Sequence, residues 1–103
     1  MDGLRLIRNE DVARAVVGVS DGHVHVRALV SLSDGTRLLL HEATLANLCR
    51  AYMTVKTHPT RSCVTLAGRQ TAHRKPGYAA WQLVEEETQG GALELRGALE
   101  AAE

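Results

Sequence analysis

Ser20-Asp21-Gly22 and Ser33-Asp34-Gly35 are two copies of one turn sequence, and a strand-like run follows each copy. Asp-Gly supplies the positive φ angles of a tight hairpin turn. Two such turns in succession predict a three-stranded antiparallel meander, with strands at about 12–19, 23–32 and 36–41. The middle strand has the most regular alternation of apolar residues, through Val24, Val26, Ala28, Val30 and Leu32.

The register of the meander follows if each Asp-Gly pair forms a two-residue loop. Counting from the turns places Ala15 opposite Ala28 and Leu39 beside Val30, on the face expected to be the core. The opposite face then carries polar residues at one end and apolar residues at the other: His23, His25, Arg27, Val16, Leu29, Leu38 and Leu40. The apolar end of this face, namely Val16, Leu29, Leu38 and Leu40, is expected to be covered. Self-association would cover it with a second copy of the chain, and a C-terminal segment of the same chain is the alternative.

The first strand has an alternative interpretation, in which Asn9 caps a short helix that ends at Gly18. Residues 4–7 predict a short strand before it. The clearest helix lies at 44–57, where Thr44 is the expected N-cap and Pro59 limits the C-terminal end. Its apolar residues have the three- and four-residue spacing of one buried face: Leu45, Leu48, Cys49, Tyr52 and Val55.

The second half of the chain predicts another hairpin. Residues 63–68 read as a strand, and the polar stretch 69–77 reads as a long loop with its turn at Pro76-Gly77. Residues 78–87 fit either a strand that pairs with 63–68, which the loop favours, or a helix with Trp81 inward. Beyond Gly90-Gly91, residues 91–103 predict a weak helix or a mobile tail.

These elements predict an α+β fold in which the 44–57 helix packs across one face of an antiparallel sheet of four to six strands. The chain has 103 residues, of which 45% are hydrophobic and 23% charged, and residues 1–90 are expected to form a single globular domain. Since Phe is absent, Val, Leu and Ala must fill a thin core. Cys49 and Cys63 are expected to be buried free thiols.

Composition also indicates where the protein works. No apolar run approaches the roughly 18 residues of a membrane span, and the N-terminus has no secretory pattern, so a cytoplasmic protein is expected. The formal net charge is zero, so electrostatic repulsion does not oppose self-association. Charge is nevertheless arranged in blocks, because residues 50–75 contain cations and no acid, whereas six glutamates follow Pro76.

The basic block is a candidate nucleic-acid interface. Cationic side chains on a loop neutralise phosphates, and a neighbouring aromatic ring stacks on an unpaired base. The residues concerned are Arg61, Arg69, His73, Arg74, Lys75, Tyr78 and Trp81. The alternative is a solvated loop whose charge is neutralised by Glu85-Glu86-Glu87.

Catalytic and metal-binding signals are weak. The phosphate-binding glycine loop, the Gly-x-Ser-x-Gly elbow and the Cys-x-x-Cys pair are all absent from the sequence. His23 and His25 alternate along the predicted strand and offer two nitrogens to a metal, but no third ligand is evident. We therefore expect no catalytic residue and no cofactor.

These patterns predict a small protein-interaction or regulatory module, which forms a homodimer or binds another protein. Nucleic-acid binding through the 61–75 segment is the alternative. A small enzyme or metal protein that uses the histidines is the second alternative.

Overall fold

A computed structural model describes residues 3–71, 78–87 and 90–102. A 3-10 turn at Asn9–Asp11 precedes three strands, β1 (Val12–Gly18), β2 (Arg27–Leu32) and β3 (Arg37–Leu40). Helix α1 (Glu42–Thr57), strands β4 (Leu66–Gln70) and β5 (Trp81–Glu85) and helix α2 (Gly91–Ala102) follow. The α+β class is confirmed, but the described strands form a three-stranded sheet, in the order β1-β2-β3, and a separate β4-β5 pair, not one larger sheet.

The first Ser-Asp-Gly turn does not close a tight hairpin. The backbone N–H of His23 donates to the carbonyl of Ser20 (3.0 Å), and Gly22 has a φ of +81°, but residues 19–26 form a connection between β1 and β2 rather than strand. Ala15 consequently lies opposite Val30 instead of Ala28. This slip of two residues leaves the side chains from Arg14 to Gly18 on their predicted faces, because faces alternate with a period of two. The register shifts between Val12 and Arg14, so Val12 lies opposite Leu32.

The second turn closes a hairpin, but with three loop residues instead of two. Leu32 N–H donates to the Thr36 carbonyl (2.8 Å), and Gly35 N–H donates to the Leu32 carbonyl (3.0 Å). With Gly35 at a φ of +93°, this is the three-residue loop with a glycine bulge. The extra residue shifts the register by one, so Leu38 lies opposite Val30 and Leu39 lies opposite Leu29.

This shift overturns the predicted faces of β3. Leu38 and Leu40 lie on the same face as Ala28, and Leu39 lies on the face that was assigned to them. We call the face with Ala28 the inner face and the face with Leu39 the outer face. Ala28 and Leu32 on the inner face are the buried hydrophobic residues of the described chain.

The carboxylate of Asp34 stabilises the second turn through two hydrogen bonds. The Thr36 N–H donates to Asp34 Oδ1 (2.9 Å), and Arg5 Nη2 donates to Asp34 Oδ2 (2.8 Å). These interactions, of which the hydrogen bond from the Thr36 backbone is the largest, lower the pKa of Asp34 below its ordinary value of 3.8. From residue 3 to β1 the described chain forms no strand, so the strand predicted at 4–7 is absent.

Helix α1 ends at Thr57, two residues before Pro59, as predicted, but it begins at Glu42, so Thr44 lies within its first turn. The helix contacts β2 and β5. Its buried residue is Asn47, whose Nδ2 donates to Oε1 of Gln82 on β5 (2.9 Å). This bond turns the Asn47 side of the helix towards the sheets.

The predicted buried face of α1 is therefore wrong for most of its length. Leu48, Cys49 and Tyr52 are exposed, and 63% of Tyr52 is accessible to solvent. Both cysteines are free, but Cys49 is not buried and Cys63 is half-buried. The apolar spacing identifies a helix correctly without identifying which side faces the core.

Residues 78–87 contain strand β5, which pairs with β4 as the hairpin interpretation predicted. Trp81 lies opposite Gln70, and its indole lies over Gly68, where a Cβ atom would approach the ring to 2.7 Å. The C-terminal segment forms α2, which exposes Leu93, Leu95 and Leu99. Within the described residues, no helix is long and apolar enough to cross a membrane.

Candidate interaction surfaces

The outer face of the three-stranded sheet carries an apolar row. Val16, Leu29 and Leu39 lie directly opposite one another on β1, β2 and β3. Val16 is 46% exposed and Leu39 62% exposed, whereas Leu29 is half-buried. Two of the four residues predicted for self-association, Val16 and Leu29, are thus brought together, and Leu39 takes the place of Leu38 and Leu40.

Three arginines flank this apolar row on the outer face. The register places Arg14 and Arg37 on one side of the row, across from Ser31, and Arg27 on the other side, across from Gly18. None of the three guanidinium groups forms an ion pair with a described carboxylate. The outer face is therefore apolar at its centre and positively charged at both ends.

Strand β1 is the open edge of the same sheet. Each of its seven residues is exposed, and β2 is its neighbour in the sheet. Its sequence, Val-Ala-Arg-Ala-Val-Val-Gly, contains one charged residue, Arg14, and neither Lys nor Pro. Charged residues, proline, β-bulges and covering segments are the usual means by which an edge strand avoids pairing with another chain. In β1 these devices are confined to Arg14 and to the register shift between Val12 and Arg14.

The outward side of α1 is a second apolar surface. Leu48, Tyr52 and Met53 are exposed on it, at spacings that place them on neighbouring turns of the helix. Helices of globular proteins ordinarily turn such a stripe towards a core. Here no described segment of the chain covers the stripe, which sequence periodicity alone does not reveal.

The predicted nucleic-acid residues are only partly available. Arg61 forms an ion pair with Glu85, and Arg69 Nη2 lies 3.2 Å from Glu86 Oε1. Both arginines therefore have carboxylate partners on the same hairpin, as the neutralised-loop alternative predicted. Tyr78 and Trp81 are both exposed, and His73, Arg74 and Lys75 lie outside the described residues.

The two candidate metal ligands do not lie on a strand. His23 and His25 belong to the 19–26 connection, so the alternation that placed them side by side is absent. His25 Nδ1 instead lies 2.9 Å from Oε1 of Glu42, in the first turn of α1. No group of three or more His, Cys, Asp or Glu side chains in the described ranges could hold a metal ion.

An open groove of about 350 Å³ separates α2 from the segment that leads into β4. Its apolar lining residues are Val64, Leu66, Leu95 and Ala98, and Cys63, Thr65 and Glu94 also line it. Within the described ranges, the groove therefore combines an apolar surface with one thiol and one carboxylate.

No family model matches this chain, and no curated protein or solved structure matches it. Function is therefore inferred from the surfaces described above.

Proposed function

We propose that this protein is a protein-interaction module that functions as a homodimer. The main support for this proposal is the large solvent-accessible surface area of the folded chain. The folded chain exposes 8380 Å², whereas a compact monomer of its 11.2 kDa mass would expose about 5,700 Å². Its radius of gyration is 15.7 Å, against about 13 Å for a compact domain of this length.

The accessible surface area in excess of a compact monomer is large enough to form a stable interface. It amounts to roughly 2,700 Å² per chain, whereas a standard interface buries about 800 Å² on each partner. Subunits of obligate oligomers expose such surfaces when they are considered alone, because the interface is part of their hydrophobic core. The small core of this chain, with Ala28 and Leu32 as its buried hydrophobic residues within the described ranges, fits that class.

The chemistry of the excess surface supports a protein partner. Exposed large apolar residues occur on the open sheet and on α1, including Val17, Leu39 and Tyr52. The row of Val16, Leu29 and Leu39 on the outer face is contiguous, and contiguous apolar surface is typical of protein interfaces. A second copy of the chain is the favoured partner because the formal net charge is zero, so two copies do not repel one another.

Sedimentation equilibrium over a wide range of protein concentration tests this proposal. We expect a mass of twice 11.2 kDa, with dissociation only on strong dilution. Because dimerisation stabilises the folded state by mass action, the melting temperature should rise with protein concentration. A mass of 11.2 kDa at every concentration, with a constant melting temperature, would contradict the homodimer.

A further inference from the structure

We propose that two copies of the chain pair through β1, antiparallel, and form one continuous six-stranded sheet with Val16 on the two-fold axis. This inference rests on the homodimer proposed above and specifies its interface and register.

The open edge of β1 determines the kind of partner. An edge strand has backbone N–H and C=O groups that point away from its sheet and have no partner there. Another extended strand satisfies these groups most completely. β1 has seven residues, all of them exposed, and contains neither lysine nor proline. Its register shifts between Val12 and Arg14, so its regular part, Arg14 to Gly18, is the segment available for pairing. β3, the other edge, has four residues and carries Arg37 at its start.

The sequence of β1 matches a second copy of itself. If Val16 lies opposite Val16 of the second copy, Arg14 lies opposite Gly18 of that copy, and Ala15 lies opposite its Val17. Gly18 has no side chain, so the Arg14 side chain has room across the interface. The two arginines are then separated along the strands, which avoids the destabilising placement of like charges directly opposite each other.

Neighbouring registers are less favourable. Centring the axis on Arg14 would place two guanidinium groups face to face. Centring it on Ala15 would place Arg14 opposite Val16 and interrupt the apolar row. With Val16 at the centre, the row Val16, Leu29 and Leu39 continues into its counterpart, so that six apolar side chains cross the joined sheet.

The same axis determines where the helices lie. A two-fold axis between antiparallel strands of one sheet is perpendicular to the sheet, so each face remains on its own side. The inner face of each copy, which α1 contacts at β2, therefore continues as one surface that carries both helices. The outer face continues as one surface that carries the apolar row.

The variant Val16→Lys tests the edge pairing. Two lysines would face each other on the axis, so we expect the dimer dissociation constant to rise about tenfold or more. Leu39→Lys is the matched control, because Leu39 lies in the same row and on the same face and is more exposed than Val16 (62% against 46%). Leu39 lies at the far edge of the sheet, so the dissociation constant of the Leu39→Lys dimer should stay close to that of the wild type.

The outcomes separate this inference from the proposal on which it rests. Equal weakening by both lysines would indicate two sheets stacked face to face and would overturn edge pairing. A wild-type dimer that Val16→Lys leaves unchanged would also overturn edge pairing while the homodimer stands. A wild-type monomer would overturn both.

Cysteine cross-linking tests the register directly. The native thiols are first removed by Cys49→Ser and Cys63→Ser, so that an introduced cysteine is the single thiol of the chain. Val16→Cys should form a disulfide-linked dimer under mild oxidation, because directly opposite residues have Cα atoms within disulfide reach. Val12→Cys should not, since its two copies would lie eight residues apart along the strands, about 26 Å. Cross-linking of Val12→Cys, or failure of Val16→Cys to cross-link in variants with native circular dichroism, would overturn the register.

Discussion

The two Ser-Asp-Gly turns have the same three residues and similar glycine conformations, with φ of +81° at Gly22 and +93° at Gly35, but different surroundings. The first lies within the 19–26 connection and has no strand pairing directly beside it. In the second turn, the backbone of Leu32 bonds across the loop to Gly35 and Thr36, and Leu32 is 4% exposed. The same tripeptide therefore lies in two different settings: beside a buried, paired residue in the second turn, and away from any strand ladder in the first.

The largest effect expected from this comparison comes from removing that buried residue. Leu32→Ala should lower the free energy of unfolding by roughly 2–5 kcal/mol, because it deletes a buried side chain from a small core. Val24, beside the first turn, is 82% exposed, and Val24→Ala should cost less than about 0.5 kcal/mol. Urea unfolding of both variants at one protein concentration measures the two losses in the free energy of unfolding. Similar losses would show that Leu32 contributes no more to stability than Val24.

An intermediate effect is expected at the two glycines. Gly35→Ala forces a side chain into the left-handed region within a hydrogen-bonded hairpin and should cost about 1–2 kcal/mol. Gly22→Ala meets the same conformational penalty, but the connection around it has no strand ladder and can relax, so the loss should be smaller. Thermal unfolding of the two variants compares these losses. A greater loss at Gly22 would mean that the first turn is the more constrained.

The smallest effect is expected at the two aspartates, and it depends on pH. The folded-state pKa of Asp34 lies below its ordinary value of 3.8, chiefly because the Thr36 N–H bonds its carboxylate. A lowered pKa means that the unfolded chain binds the proton more readily, so this stabilisation is present above about pH 4 and is lost as the pH falls through the folded pKa.

Asp34→Asn should therefore reduce the melting temperature at neutral pH and flatten its decline below pH 4. Asp21→Asn is the matched control from the first turn, where no described side chain or backbone group bonds the Asp21 carboxylate. Melting curves from neutral to acid pH follow both variants. Identical acid profiles for Asp34→Asn and the wild type would exclude this contribution.

The elements of the fold were predictable because they depend on local signals. Apolar spacing and Pro59 identified α1 almost to the residue, and the Asp-Gly turns identified the meander. The register of β3 was not predictable, because Asp-Gly fits loops of two or three residues. The loop length decides whether Leu39 or the pair Leu38 and Leu40 shares the inner face with Ala28, and the turn tripeptide contains no information about that choice.

The candidate surfaces were predictable to the extent that they follow from strand alternation. The two-residue slip in β1 kept Val16 and Leu29 on one face and brought them opposite each other, whereas the one-residue shift in β3 exchanged Leu38 and Leu40 for Leu39. The outward stripe of α1 was missed for a different reason. The bond between Asn47 and Gln82, 35 positions apart in the chain, orients the helix, and helical periodicity contains no information about it.

The position of Trp81 over Gly68 has a consequence for spectroscopy. Trp81 is the single tryptophan of the chain and lies on β5, in the sheet that α1 links to β2. Its fluorescence emission therefore follows the second hairpin, whereas the far-ultraviolet helical signal follows α1 and α2. Coincidence of the two melting curves would establish that the second hairpin and the helices unfold in one cooperative step, and an earlier change of the emission would identify the β4–β5 hairpin as a separate, less stable unit.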